Sequence, residues 1–439
     1  MQILEDGQCV KTVATDLSVV IEEFLGGGGQ GEVYRADLGG EKRAVKWYFP
    51  SQATPEQYAA LAKLIERGRP TRRFLWPEAL VKADNVPGYG YTMPLRGSHY
   101  QSIVALMKRR AEPSFRALAT AGLQLASSYL ELHANGLCYR DISFGNVFFD
   151  PDSGEVLICD NDNVTFDNET NTGVLGTPRF MAPEIVRGEA LPSIQTDLYS
   201  LAVLLFYILM VHHPLEGRRE LEIKCLDLPA MTMLYGSDPI FIFDPDDDSN
   251  RPVSGYHDNA IVFWSLYPEY LRNLFTRAFT AGIDDPLNGR VRETEWRQAM
   301  VRLRDSIFYC HHCGMENFYD LDALKASGGQ PGRCWSCDRR LTMPPRIRIE
   351  DDIVMLNHNT KLYPHHIDPG RSYDFHHPIG EVVQHPKDPS VWGIQNTGHS
   401  KWVVSTDAGV TNQDVAIGQS VRISHGTSIN FGKREGQIR

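Results

Sequence analysis

The stretch Leu137-Cys138-Tyr139-Arg140-Asp141-Ile142-Ser143-Phe144-Gly145-Asn146 constrains this chain more than any other. Upstream, Ser114 to His133 reads as a long helix, with Leu118, Ala121, Leu125, Tyr129 and Leu132 on one face. Downstream, Val147 to Phe149 and Val156 to Cys159 read as short strands joined by the turn Asp150-Pro151-Asp152-Ser153-Gly154. The stretch is therefore a loop between a helix and a strand pair, carrying an Asp and an Asn five residues apart. At that spacing one carboxylate can accept a hydroxyl proton while an amide oxygen holds Mg²⁺.

Asp160 follows the second strand, nineteen residues after Asp141, and is the natural second ligand for Mg²⁺ (or Mn²⁺); Asp162 is the fallback. Near the start of the chain, Gly26-x-Gly28-x-x-Gly31-x-Val33 lies between strand-like segments at Val19–Leu25 and Glu32–Ala36. Gly26, Gly27, Gly28, Gly29 and Gly31 let backbone amides approach phosphate oxygens, and Val33 would pack on a purine. Alone this is a weak signal. Thirteen residues past Val33, Ala44-Val45-Lys46 sits in an apolar strand, where a lysine needs an anion such as the α- and β-phosphates of ATP. An edge-strand lysine facing water is the plain alternative. Pro55 to Arg67 reads as a helix. Glu66 is the first choice to hold Lys46 and Glu56 the second, and either can equally be a solvent-facing carboxylate.

Together these residues resemble the eukaryotic-type (Hanks-type) serine/threonine protein kinase domain over about residues 15–305. The resemblance implies an α+β, bilobal fold, with a β-rich N-lobe over about 15–95 and an α-rich C-lobe over about 96–305. It implies that Gly26 to Val33 is the glycine-rich loop, Lys46 the phosphate lysine and Asp141 the catalytic base. Asn146 and Asp160 become the Mg²⁺ ligands, and Met93 and Leu95 lie at the adenine-facing hinge with Ala44. Gly176-Thr177-Pro178-Arg179-Phe180-Met181-Ala182-Pro183-Glu184 resembles the end of an activation segment, and Arg290 falls where the family pairs an arginine with Glu184. Arg140 beside the base implies regulation by phosphate on that segment, with Thr165, Thr170, Thr172 and Thr177 as candidate sites. Three departures stand out: Tyr139 replaces a histidine, Ser143 a lysine, and Asn161-Asp162 the Phe-Gly of the metal-binding triplet. None removes a metal ligand, the base or the phosphate lysine. Activity with altered control is expected, and a nucleotide-binding pseudokinase scaffold is the rival.

Cys310-x-x-Cys313 and Cys334-x-x-Cys337, with twenty residues between the pairs, can close four thiolates around a structural Zn²⁺. A zinc ribbon is expected over 306–342. Residues 345–439 read as many short strands and are expected to form a small all-β sandwich, an interaction domain whose ending faintly resembles forkhead-associated domains. Gly370-Arg371-Ser372 is the only trace of a phosphate grip. His358, His365, His366, His376, His377, His385 and His399 are irregularly spaced and are expected at the surface.

The net charge of −11 disfavours nucleic-acid and acidic-membrane partners, although Arg333, Arg339, Arg340, Arg346 and Arg348 cluster near the ribbon. Met1 to Asp16 lacks the apolar core of a signal peptide, and Leu198 to Val211 is too short to span a bilayer. The chain is expected to be cytoplasmic, with its other cysteines as free thiols. The layout resembles bacterial stress-response kinases with a C-terminal zinc ribbon, a likeness that implies a phosphatase partner.

Overall fold

The structure is a computed structural model, and it describes residues 2–167, 175–405 and 413–439. The chain divides into two compact units, Met1–Phe263 with Asn273–Arg297, and Trp264–Arg272 with Gln298–Arg439.

The first unit begins with β1 (Cys9–Thr12), β2 (Ser18–Gly27), β3 (Gly31–Leu38), β4 (Glu41–Tyr48), α1 (Pro55–Arg67), β5 (Ala79–Ala83) and β6 (Val86–Pro94). The six strands form a closed barrel in the order β1-β2-β3-β4-β6-β5. Closure depends on β1, which pairs with β2 (Val10 opposite Val19) and with β5 (Thr12 opposite Val81). Alternation fills the inside: Val10, Val19, Ile21, Tyr34, Ala36, Val45, Trp47 and Val81 form one core. The start expected at residue 15 misses β1, a four-residue strand with only two inward side chains. A Cβ at Gly31 would lie 2.1 Å from the Trp47 carbonyl oxygen, so that position admits only glycine.

Thr54 caps α1, its Oγ1 accepting from the Gln57 amide at 3.2 Å, with Pro55 in the first turn. The rest of this unit is mostly helical. It includes α2 (Ile103–Met107), α3 (Phe115–Ala134), α4 (Pro183–Val186) and α5 (Ile194–Met210). Every residue of α5 from Thr196 to Met210 is buried, as a helix apolar all round must be. Among the described residues no helix is long and apolar enough to cross a membrane.

In the second unit, the hairpin Ile307–Tyr309 with Glu316–Phe318 opens the cysteine-bearing segment. Beyond it lie a six-stranded and a four-stranded sheet, antiparallel in every pairing. Ile347, Ile349, Leu362, Val382, Ile394, Trp402, Val404, Ile429 and Ile438 from both sheets share one core. The boundary drawn from sequence at 342/345 is not a boundary of packing. Phe308, Cys310, Tyr319, Cys334 and Leu341 are buried with Met355, and Ile353 packs against them, so the cysteine segment and the first hairpin of the sheets share a core. Asn357 ties them further, donating to the Ile307 carbonyl at 2.7 Å.

Two histidines depart from the surface expectation: His365 and His366 are buried. His366 Nδ1 accepts from the Tyr363 amide at 3.0 Å and its Nε2 lies 3.1 Å from Asp305 Oδ2. Both ring nitrogens thus have protein partners.

Candidate active site and cysteine cluster

A cleft of about 880 Å³ lies in the first unit. Its lining includes Gly26, Gly27, Gly28, Gly29, Gly31, Val33, Ala44, Lys46, Met93, Leu95, Asp141 and Asp160. Strand pairing explains the gathering. Val33 stands opposite Lys46 across β3 and β4, and Ala44 opposite Met93 across β4 and β6. One antiparallel sheet thus presents the glycine turn, the lysine and the hinge to a single space.

The loop after α3 supplies Asp141. The Thr177 hydroxyl donates to its Oδ1 at 2.8 Å, and Asn146 Nδ2 donates to its Oδ2 at 3.0 Å and to its backbone carbonyl at 2.9 Å. Burial pushes the Asp141 carboxyl above its ordinary range, with the Thr177 and Asn146 bonds pulling the other way. A raised carboxylate is a better proton acceptor. With its amide nitrogen on Asp141, Asn146 leaves Oδ1 as the atom for a cation. Thr177, offered above as a phosphorylation candidate, instead has its hydroxyl committed to orienting Asp141. Gly176, at φ +116, makes the turn that brings it there, with Arg140 O 3.0 Å from where a Cβ would sit.

The loop hangs from α5. Asp197 accepts the backbone N–H groups of Tyr139 and Arg140, the latter at 3.0 Å. His133 bridges Asp197, at 3.2 Å, and Glu293. Burial disfavours its charge, but the bonds to Asp197 and Glu293 outweigh that and raise it to about 9. Tyr139, in the place of a histidine, is buried and donates its hydroxyl to the Cys159 carbonyl. Arg140 and Asp160 hold left-handed backbone, at φ 74 and 52, a strain of about 1 kcal/mol or more each for residues with a Cβ.

Lys46 does not meet Glu66. Glu66 is exposed near the C-terminal end of α1, and Glu56 is exposed in its first turn. The residue that α1 turns toward the cleft is Gln57, whose amide donates to the Tyr48 hydroxyl and the Asp162 carbonyl, both at 3.3 Å. Lys46 is buried, and its Nζ donates to Asp162 Oδ2 at 2.8 Å and Oδ1 at 3.1 Å, to Gln30 Oε1 at 2.9 Å and to Asp160 Oδ1 at 3.4 Å. Asp162 is also buried and accepts from the Tyr48 and Tyr91 hydroxyls. Burial keeps both phenols protonated as donors. Burial opposes charge on both ions, yet the pair wins: Lys46 is raised and Asp162 lowered. Asp162 is thereby spent on protein partners and is no fallback metal ligand. The Asp160 side chain keeps 42% of its exposure. Sequence reasoning missed Gln30, Gln57, Tyr48 and Tyr91 as partners here; for the last three the signal was a polar or phenolic side chain at a helix or strand position that faces an interior.

Asn161 fills the aromatic position of the triplet. It is buried, donating to the Ile158 carbonyl at 3.0 Å, with its own Oδ1 unpartnered. Arg290 Nη2 donates to Glu184 Oε1 at 2.6 Å. Thr165 Oγ1 lies 3.6 Å from Cys138 Sγ; Thr170 and Thr172 lie outside the described residues.

Residues 96–255 match the family model described as the protein kinase domain. Over that stretch the chain is similar to protein kinase domains. Its relatives include the serine/threonine-protein kinase PknK of Mycobacterium tuberculosis, 34% identical over 120 residues (27% of this chain, 11% of the relative). The DNA damage-responsive serine/threonine-protein kinase RqkA of Deinococcus radiodurans is 29% identical over 204 residues (44% and 30%). The CBL-interacting protein kinase 4 of rice (Oryza sativa subsp. japonica) is 30% identical over 255 residues (52% and 54%). The chain therefore spans between 11% and 54% of the length of these relatives. The matched region includes Asp141, Asn146 and residues 176–184, but not the glycine turn or Lys46.

In the second unit, Cys310, Cys313, Cys334 and Cys337 place their sulfurs within 4.8 Å of one another. Cys310 and Cys337 are 3.8 Å apart, Cys313 and Cys334 3.6 Å. A tetrahedron of thiolates with bonds near 2.3 Å has edges of about 3.8 Å. A disulfide needs sulfurs about 2.05 Å apart, and all four are free. Asn317 Nδ2 points at Cys334 Sγ from 3.7 Å, a donor suited to a thiolate. In the β module, Arg371 of the Gly370-Arg371-Ser372 trace pairs with Asp368 at 3.5 Å.

Proposed function

We propose that the chain is an ATP- and Mg²⁺-dependent serine/threonine protein kinase, able to phosphorylate itself, with an appended zinc-bearing β module that docks protein partners in a signalling or stress response. One observation carries this reading: the Asp141 carboxylate, oriented by Thr177 and Asn146, faces the same cleft as the glycine turn, Lys46 and Asp160. The metal's chemistry, when bound, is to neutralise charge on the β- and γ-phosphates. Asn146 Oδ1 and Asp160 are the groups to hold it. Lys46 steadies the α- and β-phosphates, and Asp141 accepts the proton of the incoming hydroxyl.

The test is phosphate transfer from labelled ATP to the protein itself or to a generic substrate. Lys46→Ala should abolish it; transfer by Asp141→Asn equal to wild type overturns the reading. ATP-dependent thermal stabilisation without turnover would favour the pseudokinase. Mass spectrometry of the full chain reports phosphorylated threonines in the same experiment.

The donor set and edge lengths of the cysteine cluster support one structural Zn²⁺ with a closed shell. Because its core is shared with the first hairpin of the sheets, chelation should lower the melting temperature of the whole second unit and release one zinc per chain. A chain that releases no zinc and melts unchanged with chelator rules this out.

A further inference from the structure

We propose that Asp162 supplies the carboxylate that positions Lys46 on the nucleotide phosphates, so that assembly of the site depends on the Asp160–Asn163 segment and not on a carboxylate delivered by α1. This rests on the kinase reading above and specifies how its lysine is held.

The geometry is complete without help from α1's acids. Both oxygens of Asp162 lie within 3.1 Å of Lys46 Nζ. The two remaining donors, Tyr48 and Tyr91, come from β4 and β6, the strand that carries Lys46 and its hydrogen-bonded neighbour. The carboxylate is therefore fixed relative to the lysine by the barrel wall itself. What α1 contributes at this point is neutral: Gln57 braces the Tyr48 hydroxyl and the Asp162 carbonyl. Glu56 and Glu66 are exposed.

The arrangement positions the lysine without sequestering it. Lys46 still lines the cleft, and its Nζ is 3.4 Å from Asp160, the residue that faces the metal and phosphates. A buried ammonium needs a paired anion in the empty site, and it needs a second anion when nucleotide enters. Asp162 meets the first need, while the other partners of Nζ, Gln30 and Asp160, line the cleft where a phosphate would join or replace them. The same segment bears Asp160 and Asp162 two residues apart, on a short 3₁₀ turn that starts from the left-handed Asp160. One movement of that turn would withdraw the metal ligand and the lysine's partner together.

The test is calorimetric titration of ATP with Mg²⁺ into the full chain and five variants. Asp162→Asn, nearly isosteric, is expected to weaken binding about 10- to 100-fold, the size of one charge-assisted hydrogen bond. Lys46→Met should do the same, and the double variant should bind no more weakly than Lys46→Met alone, since the two act through one contact. Glu66→Gln and Glu56→Gln should bind as wild type. If Asp162→Asn is shown by thermal unfolding not to fold, Tyr91→Phe removes one donor from the carboxylate instead, with a several-fold loss expected. Wild-type affinity in the folded Asp162 or Tyr91 variant overturns the inference, as do multiplying effects in the double variant or a loss in Glu66→Gln. A wild-type chain that does not bind ATP with Mg²⁺ overturns the kinase reading along with it, so the two failures are told apart by the first titration.

Discussion

The loop Arg140 to Asn146 and the segment Asp160 to Asn163 line one cleft and are held by opposite means. The loop is suspended by backbone: Asp197 at the start of α5 takes its N–H groups, and Asn146 and Thr177 brace Asp141 from the side. Its anchors are all in the helical part of the unit. The second segment is held by side-chain charge and phenols, and Lys46, Tyr48, Gln57 and Tyr91 all come from the β-barrel and α1. Backbone anchoring tolerates little rearrangement; an ion pair with a few hydroxyls can be exchanged for another set. The loop is accordingly the fixed part of the site, and the Asp160 segment the part that couples one half of the unit to the other.

The comparison breaks first at the base. Asp141→Asn should lower kcat by about 10²–10⁴-fold, the usual worth of a positioned proton acceptor, with the KM for ATP little changed. A large rise in that KM would mean that Asp141 also positions the nucleotide. Next comes the suspension. His133 is raised to about 9 in the folded chain against an ordinary 6.5, so its stabilisation is complete below pH 6.5 and is lost as pH climbs through 9. At 1.36 kcal/mol per unit this amounts to roughly 3 kcal/mol. Denaturant unfolding at pH 6 and at pH 9.5 should show that loss, and His133→Leu should flatten it.

A smaller effect sharpens the link between the two regions. Tyr139→Phe strands the Cys159 carbonyl just before Asp160 and should cost about 1–3 kcal/mol of stability. Differential hydrogen exchange should place the loosening at residues 158–163. Smallest of all, Gln57→Ala should cost under about 1 kcal/mol and raise the KM for ATP slightly, since it removes two 3.3 Å bonds that brace the cage from outside.

Much of the site was readable because the chemistry is local in sequence. The five-residue step from Asp141 to Asn146 and the two-residue knuckles of the cysteines are set within single loops, and spacing alone defines what they can hold. The α1 helix was legible to its ends from Pro55 and the apolar repeat. The partner of Lys46 was not. It is 116 residues away, and the choice between Glu56, Glu66 and Asp162 depends on which face of α1 turns inward, which periodicity alone left open. Two exposed glutamates and one buried aspartate look alike until burial is known. Two of the seven histidines depart for the same reason: His365 packs against the rings of Tyr373 and Phe375, and His366 against Tyr363.

The ring formed by β1 to β6 has a consequence for how this half of the molecule meets others. With β1 hydrogen-bonded on both sides, the seam along Ser18–Val20 and Val81–Lys82 has no free row of amides and carbonyls for an extended peptide to join. Strand augmentation is thereby closed off at that seam, and a partner that grips it does so through side chains.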